Sequence, residues 1–123
     1  MVSTFRSAAS ALLLLAAAGC GSSLSAETVA QPQAEIRAAE EAGANDVPEA
    51  ALHLKMARDR VALGDQLANE GHDQQASRAY GRAKADAELS VLLARESVLE
   101  KKAQQAIDKA KALESAPSGA PSK

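Results

Sequence analysis

Residues 47–98 read VPEAALHLKMARDRVALGDQLANEGHDQQASRAYGRAKADAELSVLLARESV, and this stretch decides the fold. Up to residue 70, Val47, Ala50, Leu54, Ala57, Val61, Gly64 and Ala68 recur at alternating steps of three and four. That spacing lines small and apolar side chains along one seam of a helix. After Gly71-His72 the rhythm returns with Ala76, Tyr80, Ala83, Ala87, Val91, Ala94 and Val98. Folding the second run back on the first at Gly71 pairs residues whose numbers sum to about 144, the register of two antiparallel helices joined by a short turn. Ala68 then meets Ala76, Gly64 meets Tyr80, Val61 meets Ala83, Ala57 meets Ala87, Leu54 meets Val91, and Ala50 meets Ala94. Gly64 in a helix interior costs about 1 kcal/mol relative to Ala; opposite Tyr80 it has a reason, because it leaves room for the ring.

The expected fold is all-α: an antiparallel helical hairpin or small three-helix bundle with a long C-terminal helix, in TPR-like or coiled-coil-like packing. Outward from the hairpin, a first helix is expected from about Gln33 to Ala42, closed by Gly43 as a left-handed cap. Asp46 and Glu49 stand in capping-box spacing with Pro48 in the first turn, so the second helix should open at Asp46. Asp73 is the expected cap of the third, which meets no breaker but Gly81 before Pro117. The second helix has a further stripe, Leu52, Met56, Leu63 and Leu67, for which the first helix is the expected partner. The helical domain is thus placed at residues 34–114, between a flexible tether at 20–33 and a disordered tail at 115–123.

Composition agrees and excludes. The 123 residues hold 30 Ala, are 46% hydrophobic and only 2% aromatic, and contain no Trp. A β-sandwich or barrel needs the aromatic and β-branched alternation that is missing. Fourteen basic against sixteen acidic residues, net −2, speak against nucleic acid as a partner. One Cys leaves no intramolecular disulfide and no multi-thiolate metal site.

The chain opens with a weakly basic start, Met1 to Arg6, and an apolar run from Ala8 to Ala18 centred on Leu12-Leu13-Leu14-Leu15. This run is too short to span a bilayer but has the length of a signal-peptide core. It ends in Ala17-Ala18-Gly19-Cys20, which resembles the bacterial lipobox; Ala17 stands where Leu is usual. The resemblance implies a signal peptide, residues 1–19, cleaved before Cys20. It also implies a covalent diacylglycerol and an N-acyl chain on Cys20, with no other cofactor. The alternative is an ordinary secretory leader that leaves Cys20 a free thiol. Gly21 follows the Cys where inner-membrane lipoproteins commonly carry Asp, and by resemblance to that sorting rule the destination is the periplasmic face of the outer membrane.

Ala42-Gly43-Ala44, then Val47-Pro48-Glu49-Ala50-Ala51-Leu52, then Gly71 and the series Ala76, Ala79, Ala83, Asp86-Ala87 resemble one bacterial family, the domain of unknown function 4398. It occurs in short envelope lipoproteins and ahead of OmpA-like peptidoglycan-binding domains. The resemblance covers about Ala34 to Arg95, with Val47-Pro48 standing where Ala-Pro is commoner. It implies a helical fold and an envelope location, and it brings no catalytic residues.

Sites for chemistry are sparse. His53 and His72 lack ligand partners at helical spacing and read as solvent-facing or boundary residues, so no metal site is expected. The lipobox resemblance makes Cys20 the expected acylation site, which removes it as a nucleophile. Glu40-Glu41 and the pair Asp86 and Glu88 diverge on a helix and read as solvated charges. No enzyme is expected. The stretch that can carry function is an overhang of the third helix beyond Val98, where the second helix has run out. Leu99, Ala103, Ala106, Ala110 and Leu113 follow heptad spacing there with Ile107 beside them. It suits a self-associating or partner-binding coiled coil, or a solvated, fraying helix. The mixed charges and weak stripe argue against a membrane-surface helix. The functional expectation is a lipid-anchored helical interaction module of the envelope, binding an unknown envelope protein or itself. The competing expectations are a structural tether or spacer and a small periplasmic chaperone or assembly factor.

Overall fold

A computed structural model of the chain describes residues 23–116. Helix α1 spans Ala26–Glu41, a single 3-10 turn follows at Ala44–Asp46, α2 spans Pro48–Asn69 and α3 spans Asp73–Ser115. No strand occurs among the described residues, and the long C-terminal helix packs against the other two, so the fold is all-α as expected. α1 and α3 run one way and α2 the other. The tail proper and residues 1–22 lie outside the described residues, and with them the cleavage site, Ala17, Ala18, Gly19 and Cys20.

The ends of the helices correct the reading from sequence in three places. α1 begins at Ala26, not near Gln33, so most of the expected tether is helix. Ser25 caps it, accepting the Thr28 N–H at 3.1 Å, and the helix continues through Pro32. A proline there gives up one i→i−4 hydrogen bond; its ring is among the largest fully buried groups of the protein, which offsets that loss. At α2 the cap is Val47, without a side-chain hydrogen bond, because Asp46 is used in the 3-10 turn. Pro48 takes the first helical position, where its missing N–H costs nothing. At α3 the cap is His72 and Asp73 is the first helical residue, where its charge suits the positive end of the helix.

The turns behave as their glycines dictate. Gly71 has φ +78, its N–H bonds Ala68 O at 3.0 Å, and the His72 N–H bonds Leu67 O at 2.8 Å. These are the two bonds of a Schellman motif, and they close α2 tightly enough for α3 to fold straight back. Gly43, φ +83, closes α1 in a related way with its N–H on Glu40 O.

Helix α2 lies along α3 in the expected register. A Cβ built on Gly64 would stand 2.7 Å from Tyr80 Cε1 and 2.8 Å from Cδ1, so the ring occupies the space the glycine leaves. Tyr80 is 2% exposed, and its hydroxyl donates to Asp65 Oδ1 at 2.6 Å. At the other end Ser90 Oγ donates to the Ala50 carbonyl at 2.7 Å, in a buried bond. Among the described residues nine of the twelve buried hydrophobic side chains are Ala, so the backbones approach closely while each contact removes little apolar area from water. The larger members, Leu54 and Val91, gather with Ala39, Ala44, Ala50 and Ala94 where all three helices meet.

The first helix does not take the place expected of it. α1 packs chiefly on α3 and only lightly on α2. The second stripe of α2 is therefore left open, with Leu52 and Leu63 exposed. Arg58 on α2 reaches Glu40 on α1 at 2.5 Å, a bond between half-exposed groups that fixes orientation more than it adds stability.

Two outcomes are expected. Both Gly64→Ala and Gly81→Ala gain about 1 kcal/mol of helix propensity, but a Cβ at Gly81 meets nothing within 4 Å. Thermal melts should show Gly81→Ala stabilised and Gly64→Ala destabilised, the latter by about 1–3 kcal/mol, the scale of an overpacked core. The second outcome concerns alkaline pH. Burial first, then the hydrogen bond to Asp65 and its negative charge, push the Tyr80 phenol up to about 12 from 10.0. The neutral form is the one the fold favours, so its contribution is complete below pH 10 and is lost as pH rises to 12. Tyr80 is the only Tyr and Trp is absent, so ultraviolet titration follows this phenol alone. A midpoint near 12 in the folded protein and near 10 in denaturant is expected, and Tyr80→Phe should remove this alkaline loss.

Candidate functional site

α3 has 43 residues, a length of roughly 64 Å at 1.5 Å per residue. α1 and α2 cover its first half, and every residue from Val98 to Ala116 is exposed. Among the described residues, six of the eight exposed large hydrophobic side chains lie on α3 at or after Leu89, which locates the open apolar surface of the bundle there. Leu99 is 65% exposed, Ile107 48% and Leu113 70%; Ala103, Ala106 and Ala110 are exposed between them. The residues expected to form an interaction surface thus stand together on a helix that no other part of the described chain covers.

This stripe is not a continuation of the bundle core. At 3.6 residues per turn, the face of α3 that carries Ala83, Ala87, Ser90 and Ala94 runs on into Lys101, Gln105 and Asp108. Leu99 lies on nearly the opposite side, and Ala106 and Leu113 turn from there progressively toward the flank. The bundle ends where its own face of α3 turns polar, and a second apolar face takes over on the other flank. The polar residues of the overhang bond locally: Gln104 donates to Asp108 at 2.9 Å.

Within the bundle the structure reveals one polar cluster that the sequence reading missed. Asp86 was expected to be a solvated charge, but it is 8% exposed between α3 and α2. Arg60 Nη1 lies against Asp86 Oδ2, and His53 Nδ1 stands 3.5 Å from Asp86 Oδ1. His53 is partly buried, while His72, in the turn, is exposed. Burying a carboxylate demands a partner, and Arg60 supplies it. The signal was in the phase: Asp86 sits three residues after Ala83 and one before Ala87, inside the buried arc. His53 and Arg60 are seven apart, hence on one face of α2.

A carboxylate, an imidazole and a nearby Ser90 invite comparison with a hydrolytic triad. The geometry differs: Ser90 Oγ donates to the Ala50 carbonyl and not to an imidazole. The nucleophile–base bond that such chemistry needs is not made. The cluster is a bracket between two helices. On the open side of the hairpin Leu63 and Leu67 line a shallow groove with Arg60, Arg78 and Arg82. Among the described residues no group of three or more His, Cys, Asp or Glu side chains is placed to hold a metal ion, and no helix is long and apolar enough to cross a membrane.

No protein-family model, curated protein or solved structure matches this chain.

The bracket has a testable energetic signature. Arg60→Leu strands a buried carboxylate and should cost roughly 2 kcal/mol or more, whereas the double variant Arg60→Leu with Asp86→Leu should recover most of that loss. Urea unfolding of the two single variants and the double variant measures the coupling.

Proposed function

We propose that this chain is a non-enzymatic, lipid-anchored interaction module of the bacterial envelope, held on the periplasmic face of the outer membrane. Cys20 carries the diacylglycerol on its thiol and a further acyl chain on its amino group. Two or more chains give stable residence on a membrane surface where one gives only marginal binding. The reading draws on the lipobox-like Ala17-Ala18-Gly19-Cys20 behind a short apolar run and on the likeness to the domain of unknown function 4398. The balanced charge, net −2, supports protein and membrane, not nucleic acid, as the partners.

The observation that carries the reading is the overhang of α3. A helix that leaves its bundle and keeps exposed leucines on the side away from it presents a partner with a preformed surface. Ordering has been completed by folding, so a partner does not have to organise a loop.

Metabolic labelling with a palmitate analogue should mark the wild-type protein and not Cys20→Ser; label that persists in the variant removes the anchor. Truncation after Val98 should leave the helical melt of the bundle in place while abolishing association, and association that survives the truncation places the interface elsewhere.

A further inference from the structure

The apolar stripe of the overhang starts earlier than the overhang. Leu92, Leu99, Ala106 and Leu113 are spaced by sevens, and Leu89, Glu96, Ala103 and Ala110 precede each of them by three. These are the d and a positions of one unbroken heptad seam. All eight are exposed. The seam lies on the side of α3 turned away from Ala83, Ala87 and Ala94, and at Leu92 it runs alongside α1, whose Glu35 and Ala38 border it.

We propose that a second copy of this chain covers the seam, its α3 parallel and in register. The inference rests on reading the overhang as an interface, and it names the occupant. Charge decides both the occupant and the direction. On one flank of the seam, the g positions after Glu88 (which pairs with Lys84 of its own chain) are Arg95, Lys102 and Lys109; on the other, the e positions are Leu93, Glu100, Ile107 and Glu114. In a parallel pair a g residue faces the residue five further on in the other helix. That places Arg95 opposite the second copy's Glu100 and Lys109 opposite its Glu114, each twice in the dimer. Antiparallel pairing sets the basic flank against the basic flank and is repelled. None of Arg95, Glu100, Lys109 and Glu114 is ion-paired within its own chain among the described residues.

Glu96 is the single charged a position in the seam. A lone polar a residue fixes register at a cost in stability, and in the parallel pair each Glu96 also stands beside the second copy's Arg95. The Ala layers at residues 103, 106 and 110 keep the association weak and concentration-dependent. A parallel pair further brings both N-terminal ends to the same side, as two chains held on one membrane surface require.

The three described helices and the contacts between them lie within residues 23–116, so a chain from Ser23 to Lys123 holds the whole described bundle and contains no Cys. Sedimentation of this chain should show a reversible dimer. Leu99→Cys and Ala110→Cys, prepared as separate chains, should each form a disulfide with itself on mild oxidation. A mixture of the two should give few cross-pairs. Reversing both acidic flank residues, Glu100→Lys with Glu114→Lys, should weaken the dimer about tenfold or more, replacing attraction by repulsion at four places. Circular dichroism should be unchanged, since both residues are exposed. Glu96→Leu should tighten it. A chain that stays monomeric at every concentration overturns the inference, and so does oxidation that links Leu99→Cys to Ala110→Cys in preference to itself. If the chain is monomeric yet a photo-crosslinker at Leu99 still captures another envelope protein in cells, the second copy is excluded and the interface reading stands. If neither dimer nor capture occurs, both fall.

Discussion

Everything in this bundle depends on one close approach: the Tyr80 ring fills the space where Gly64 has no side chain. A Cβ at that point would come within 3 Å of three ring atoms, so no other residue fits there without displacement. The contact sets the phase and the register of α2 against α3 together. Once it is set, Ala57 and Ala87 fall inside, Ser90 reaches the Ala50 carbonyl, and Asp86 is carried in between the helices to meet Arg60 and His53. The buried carboxylate is then a consequence of register and also a guard on it. A slip of one residue would withdraw its guanidinium and leave the charge without compensation.

A second constraint separates support from presentation. The first half of α3 is held by two neighbours; beyond Val98 the same helix has none among the described residues. The two apolar faces of α3 lie on opposite sides, so the surface left open is not a flaw in the core. It is distinct in position and in chemistry, with leucine, alanine and flanking charges of opposite sign. The proposed envelope role and the proposed pairing of two copies both grow from that arrangement.

Much of this was legible in the residues, and the reason differs from place to place. The hairpin could be read because Tyr80, the only aromatic among the described residues, and a helix-interior glycine admit one pairing that satisfies both. The overhang could be read because α2 is shorter than α3. Pro32 misled: a proline amid small polar residues resembles a tether, and only tertiary burial of its ring keeps it helical. Asp46 misled because two capping patterns overlap there, and the 3-10 turn after Gly43 took the residue first. The position of α1 was not available from periodicity, since Ile36 and Ala39 fit against either neighbour, and the open stripe of α2 gave the wrong answer. Asp86 was in phase with the seam all along. Its charge hid it, because burial of a carboxylate depends on a guanidinium from another helix.

The alanine lining has a thermal consequence. Unfolding a core of methyl groups exposes far less apolar surface than unfolding one of leucine and phenylalanine, and heat capacity follows that exposed area. The stability curve of this bundle is accordingly flat. Its margin changes little between cold and warm. The fold population then stays nearly the same across a broad range of temperature.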